Sequence, residues 1–186
     1  MRIVAGRFRG TALAAPKTQD IRPTSDRVRE AIFNILAHGV HGFEIEGARV
    51  LDLFAGTGAL GLEALSRGAS YVHFIEENAE ARGLIRRNIE TLGAMGATKI
   101  YRRDATKLGA VGTLRPFQLA FADPPYGKGL GEKALASAIG GGWLAPGAVA
   151  VVEERANAAF EPPHGFTLVD RRIYADTAIH FLHAGL

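Results

Sequence analysis

Val50-Leu51-Asp52-Leu53-Phe54-Ala55-Gly56-Thr57-Gly58-Ala59-Leu60-Gly61 is the stretch from which the architecture can be read. Arg49–Phe54 is a short apolar run of β-type residues. Ala59–Arg67 continues as a helix that Gly68 closes. Gly56, Gly58 and Gly61 form GxGxxG at the junction of the two. Glycines at this spacing permit a tight turn and close approach of backbone to ligand. The helix start adds unpaired amides and partial positive charge. Such a loop binds one end of a nucleotide-like cofactor at the carboxyl edge of a sheet.

GxGxxG is shared by several cofactor classes, so its neighbours carry the choice. Asp52 stands four residues before Gly56. A carboxylate there repels pyrophosphate and suits a cation such as an amino acid's ammonium group. That favours S-adenosylmethionine over a nicotinamide dinucleotide. Glu76 ends the next strand, Tyr71–Glu76, where it can accept from ribose hydroxyls in either cofactor. Glu77 beside it reads as solvated.

Outward from this unit the chain alternates strand and helix. Asn78 caps a helix over about 79–92, ended by Gly93. Lys99–Arg102 is a short third strand, Gln118–Ala122 a fourth and Ala148–Glu153 a fifth. A helix lies at about 130–139 between the fourth and fifth. Phe166–Ile173 and Ala178–Leu182 close the chain, joined too tightly for a crossover helix and hence as an antiparallel hairpin. Thr24-Ser25-Asp26 caps an earlier helix over about 25–38. The expected class is α/β, a mostly parallel sheet with helices on both faces.

Asp123-Pro124-Pro125-Tyr126 closes the fourth strand. Paired prolines end a strand in a stiff turn at the same carboxyl edge as the glycine loop. A carboxylate, a rigid carbonyl and an aromatic ring then stand together. Asp123 and the Pro124 carbonyl can accept hydrogens from an exocyclic amine, and Tyr126 can stack on its ring. The acceptors draw the nitrogen towards tetrahedral geometry and free its lone pair for in-line attack on a methyl carbon. The target base must be unstacked or single-stranded. Asp104, ahead of Ala105, has two readings: an acceptor for an adenine amino group, or the cap of the next helical turn.

Among 186 residues there is no cysteine, which excludes disulfides and thiolate metal sites. The six histidines show no zincin spacing, so no metal is expected. His180 and His183 fall on opposite faces of a strand and read as structural or exposed. No apolar run reaches the length of a membrane span, and the first residues lack a signal-peptide core. A cytoplasmic, monomeric protein is expected.

Net charge is +3, and it is unevenly placed. Residues 1–30 carry seven arginines and lysines against three acids, a net +4, which leaves −1 for the rest. Residues 1–23 read as a basic hairpin or arm ahead of the main domain, 24–186. Arg7, Arg9 and Arg22 on the arm, with Arg27 just beyond it, are the candidate phosphate contacts. Arg22, Thr24, Arg27 and Arg29 could grip rRNA phosphates or close over the cofactor; for Arg29 and Glu30 the other reading is helix-surface charges in local pairs of little energy.

These residues resemble a known family. DxFxGxG after the first strand and Asp/Asn-Pro-Pro-aromatic after the fourth look like the class I amino-methyltransferases. Arg2–Gly6, Arg9-Gly10, Ile21–Leu36 and Leu51–Ala69 are similar to the bacterial 16S rRNA (guanine(966)-N(2))-methyltransferase family. The resemblance runs over nearly the whole chain. It implies a Rossmann-like fold with a seven-stranded sheet and a small N-terminal β-hairpin. It implies S-adenosylmethionine as cofactor and a guanine of 16S rRNA in the small ribosomal subunit as substrate. It places Asp52, Phe54, Ala55, Gly56, Thr57, Gly58, Glu76, Asp104 and Ala105 on cofactor positions. Asp123, Pro124, Pro125 and Tyr126 fall on the catalytic motif. Tyr174-Ala175-Asp176 departs from the pattern, since a glycine often follows the tyrosine.

Other classes meet specific objections. A nicotinamide oxidoreductase leaves Asp52 and the Asp-Pro-Pro-Tyr run unexplained. A DNA-adenine or protein-glutamine methyltransferase shares the chemistry, but the chain has no room for a DNA-recognition domain. A non-enzymatic RNA binder would not need the catalytic residues.

Overall fold

A computed structural model describes residues 1–17, 24–40 and 42–185. The elements, in chain order, are α1 (Asp26–His38), β1 (Arg49–Leu53), α2 (Ala59–Ser66), β2 (Tyr71–Ile75), α3 (Ala79–Leu92), β3 (Thr98–Tyr101), β4 (Phe117–Ala122), α4 (Leu130–Gly140), β5 (Leu144–Arg155), β6 (Phe166–Tyr174) and β7 (Thr177–Ala184). They build one seven-stranded sheet in the order β3-β2-β1-β4-β5-β7-β6. The first five strands in that order are parallel. β7 runs antiparallel between β5 and β6. This is a Rossmann-like class I methyltransferase sheet. Its strand order reverses at β1, so the crevice between the carboxyl ends of β1 and β4 is the expected ligand site.

Strand alternation feeds two apolar layers. Val50, Phe74, Phe121, Val151 and Phe181 point to one face, where side chains from α1, α2 and α3 meet them. Leu53, Ile75, Ala122, Val152 and Leu182 point to the other, under α4 and Trp143. Local chemistry sets the helix ends. Ser25 accepts from the Val28 amide at 3.2 Å, and Asn78 from Ala81 at 2.9 Å. Gly93 ends α3 in the left-handed region, φ 62°. β5 begins four residues earlier than the expected Ala148, because Leu144 already pairs with Phe117. A register shift before Leu119 absorbs Pro146 and Gly147. In the β6–β7 turn Ala175 stands at φ 53°, a left-handed site that suits the missing glycine better.

The N-terminal residues form a narrow hairpin, with Arg2 bridged to Ala12, laid on α2 and α3. Ile3 and Leu13 enter the main core. Buried polar groups hold its backbone. Glu63 accepts from the Val4 and Ala5 amides at 2.8 and 3.1 Å. Ser66 donates to the Ala5 carbonyl and accepts from Phe8. Asn88 accepts from Ala14 at 2.6 Å. A Cβ on Gly6 would lie 2.0 Å from the Ser66 carbonyl oxygen, so only glycine allows this approach.

The structure overturns both readings of Arg29. Its side chain is fully buried, paired with buried Glu63 at 3.4 Å and with Asp26 at 2.8 Å. It also donates to the carbonyls of Arg2 and Thr24. Arg29 shares its helix face with Ile32, Phe33 and Leu36, three, four and seven residues on, and the hairpin completes the cover over it. Its ion pair is a core element that ties hairpin, α1 and α2 together.

Candidate active site

A cavity of about 720 Å³ opens at the carboxyl edges of β1, β2 and β4. That is the size of a cofactor-and-substrate cleft. Its floor is the glycine loop. Phe54 leaves β1 at φ 54°, one of two non-glycine residues in the left-handed region among the described residues. Strain of this kind persists where surrounding contacts over-determine the backbone. Here the Ala55 amide donates to Ile75 at 3.1 Å and Gly56 to Glu76 at 2.8 Å, locking the loop to β2. Below it, the Gly61 amide donates to Asp52 at 3.0 Å. A Cβ on Gly61 would stand 2.6 Å from Val72 and 2.9 Å from Asp52, so this glycine lets α2 sit against the sheet.

Three carboxylates expected to meet a cofactor line the cavity, each already tied to backbone. Asp52 is buried and holds the start of α2, and burial pushes its carboxyl up to about 8. Glu76 accepts from Gly56 with one oxygen and from Asn78, at 3.0 Å, with the other. Asp104 accepts from the Thr106 amide and hydroxyl at 2.9 and 2.7 Å, which hold it below its usual range. It caps the turn at Ala105–Lys107 and still faces the cavity, so its two readings are compatible. Phe54, Ala55, Gly56 and Thr57 line the cavity; Gly58 and Ala105 do not. Gly58 faces Phe74 and Ile85, and Ala105 is buried in the apolar layer under α4.

The opposite wall is Asp123–Tyr126, all four residues on the lining. Asp123 belongs to a side-chain cluster that sequence reading missed. The Thr24 hydroxyl lies 3.1 Å from Asp123 Oδ2 and 2.8 Å from Glu153 Oε2. The Tyr126 hydroxyl lies 3.3 Å from Glu153 Oε1 and 3.2 Å from Thr177. Burial first, then Glu153, raise the Asp123 carboxyl well above the usual range. The same two causes push the Tyr126 phenol up to about 12. Arg155 stands over the Tyr126 ring, 5.9 Å from its centre.

Glu153 had a usable signal. It ends the strand expected over Ala148–Glu153, one place after Val152, which registers with Ala122, just as Asp123 follows Ala122. Thr24 and Arg155 carried no such signal. Arg7, Arg9 and Arg27 are exposed and do not line the cavity, with Arg7 over the Phe8 ring at 4.6 Å. Arg22 lies outside the described residues. His180 is buried and stacked on Phe160, consistent with a structural role.

The family described as conserved hypothetical protein 95 matches residues 1–183. Ribosomal RNA small subunit methyltransferase D of Escherichia coli K12 is 40% identical over 153 residues, 82% of this chain and 74% of the relative. The chain belongs to the ribosomal RNA small subunit methyltransferase D family. The Haemophilus influenzae member is 34% identical over 174 residues, 92% of this chain and 88% of its own. The solved structure of Escherichia coli yhhF, described as a methyltransferase, superposes with a TM-score of 0.83 at 33% identity, covering 100% of this chain and 98% of that one. For a small subunit methyltransferase D the two cavity walls divide naturally. The glycine loop with Asp52, Glu76 and Asp104 forms one side, and the Asp-Pro-Pro-Tyr turn forms the other.

Proposed function

We propose that this chain transfers a methyl group from S-adenosylmethionine to the N2 amine of guanine 966 in 16S rRNA of the small ribosomal subunit. The observation that carries the reading is the shared cavity, with a strained glycine loop on one wall and Asp123 to Tyr126 on the other. The lining chemistry fits the cofactor. Five acids face it, of which burial favours the neutral form of Asp52 and Asp123, so that Glu76, Glu77 and Asp104 set the sign against Arg155, the cation among the described lining residues. Such a cavity attracts a ligand with ammonium and sulfonium charges and repels a dinucleotide's pyrophosphate. This favours a methyltransferase over a nicotinamide oxidoreductase.

Asp52 and the loop would hold the amino-acid end, Glu76 the ribose and Asp104 the adenine side. Carboxylate oxygens already holding one amide keep a further lone pair for these contacts. When bound, S-adenosylmethionine supplies an electrophilic methyl group on sulfur. Asp123 and the Pro124 carbonyl accept from the amine and aim its lone pair. Tyr126, fixed through its hydroxyl, offers its ring to the base. The guanine, its position and the N2 atom follow from the family resemblance; the relatives' names support small subunit rRNA as the substrate. Another base or a protein glutamine would use the same wall.

The test is transfer of labelled methyl to small subunits from a strain lacking the enzyme, beside naked 16S rRNA and DNA. Label recovered as N2-methylguanosine at position 966 is the expected result. Label on another base, or on protein, would move the substrate. No label on any of them, with S-adenosylmethionine bound, would overturn the proposed substrate.

A further inference from the structure

Asp123 lies in a cluster with more acid than the amine-binding role requires. On β5, Glu153 is buried, with Oε2 on the Thr24 hydroxyl and Oε1 on Tyr126. Thr24 is itself buried and touches both carboxyls, within 3.1 Å of each. From β1, buried Asp52 adds a further acid near Asp123. Tyr126 faces Glu153 from the loop after β4, and Arg155 stands outside, over the Tyr126 ring. Arg29 meets Thr24 only at its carbonyl. Two carboxyls this close and this buried do not both ionise near neutral pH.

We propose that Glu153 is a positioning residue for the transfer: bridged to Asp123 by the Thr24 hydroxyl, it makes the two carboxyls hold one proton in common, so that the amine meets a single negative charge. The inference rests on the proposed amine methylation. In that reaction the nitrogen lone pair forms the N–C bond, and the C–S bond breaks with its pair left on sulfur. One N–H proton then passes to Asp123, which leaves the carboxyl pair neutral until product departs and a proton returns to solvent. No further reactant is needed. Before transfer, Thr24 can donate to whichever carboxyl carries the charge.

The arrangement sets where activity begins on the acid side. Glu153→Gln removes the second charge and keeps the shape. The acid limb of the kcat profile should move down by about one pH unit or more, with the plateau changed by less than roughly ten-fold. The ¹³C-carboxyl resonance of Asp123, assigned by its loss in Asp123→Asn, should titrate lower by the same amount in the free protein. Thr24→Val removes a donor to the carboxylates and should move both readouts the opposite way, upwards. Should Glu153→Gln fail to fold, that opposite shift carries the test alone. A limb and a resonance unmoved by either variant would reduce Glu153 to a tether for Tyr126 and overturn the proposal. A downward shift in Thr24→Val would do the same. The NMR titration needs neither rRNA nor methyl donor, so it stands if the proposed reaction fails.

Discussion

On the β1–β3 wall of the cavity, carboxylates rest on backbone amides that lie near them in sequence. Asp52 takes the amide nine residues on, Glu76 the one 20 residues back, and Asp104 the one two residues on. On the β4–β5 wall, Asp123 and Glu153 rest on side-chain hydroxyls and on each other. Thr24 lies 99 residues from Asp123 and 129 from Glu153. The first wall is backbone held in place before any ligand arrives. The second is side chains that can titrate and reorient, which suits a surface that must take up a proton. The difference predicts that the second wall depends on support from elsewhere in the chain.

The largest effect should come from that support. Arg29 is buried, pairs with Glu63 and holds the Thr24 carbonyl. Arg29→Ala leaves Glu63 as a buried charge whose remaining partners are Arg67 and two hairpin amides. Removing one partner of a buried pair costs about 3–5 kcal/mol. Chemical unfolding should show a loss of that order. A change under about 1 kcal/mol would mean that water or Arg67 replaces it readily, and the second wall would not need remote support.

Asp123→Ala comes next and tests the division itself. It removes an acceptor on the target wall and leaves every backbone tie on the other. Turnover should fall by about 10²–10³, the scale for losing one group that meets developing charge. Affinity for S-adenosylmethionine, measured by calorimetry, should stay within a few-fold. Lost cofactor binding would show that Asp123 serves the first wall, and the comparison would break.

The same contrast explains what could be read from the sequence. The β1 loop, α3 with its Asn78 and Gly93 ends, and the Asp-Pro-Pro-Tyr turn carry their causes within a few residues. Their signals are therefore local, and the expected elements match the observed ones closely. Arg29 looked like a surface charge because it is an arginine, although its spacing to Ile32, Phe33 and Leu36 puts it on the buried face; its partners Glu63 and the hairpin carbonyl are remote in sequence. Thr24 read as one of three candidate helix caps, or as a grip on phosphate or cofactor. Ser25 takes that role, and the Thr24 hydroxyl turns to two carboxyls from distant strands. Contacts across a hundred residues leave no spacing to detect. Glu153 is the intermediate case, legible once β4 and β5 are taken as parallel neighbours in register.

Asp52→Asn probes the first wall more gently. The substitution keeps an oxygen for the Gly61 amide but removes the titration. Burial raises the Asp52 carboxyl to about 8 in the folded protein, well above its unfolded value. The protonated form is thus favoured by folding. Its contribution is complete below about pH 4 and is lost as pH rises towards 8. Wild type should lose at least about 1 kcal/mol more than Asp52→Asn between pH 5 and pH 8. Parallel stability curves would show that Asp52 is ionised throughout, held so by the amide alone.

The smallest effects should come from charges outside both walls. The hairpin docks through backbone and buried side chains, which leaves Arg7 and Arg9 exposed, and Arg27 is exposed on α1. None of the three shapes the cavity. Alanine at any of them should leave the fold and S-adenosylmethionine affinity unchanged. If they neutralise rRNA phosphates, each substitution should reduce the slope of log affinity against log salt by roughly one, through one fewer released counterion. Binding near physiological salt should then weaken only a few-fold. The readout is a salt titration of rRNA binding for the three single variants and for the triple variant. A triple variant with the wild-type slope would assign these arginines to solubility. It would also leave the rRNA contact to other parts of the chain, the residues linking hairpin to α1 included. A slope that falls in step with the number removed would extend the second wall outward. Asp123 would then take the amine, Tyr126 the base, and the hairpin and α1 the phosphates that flank it.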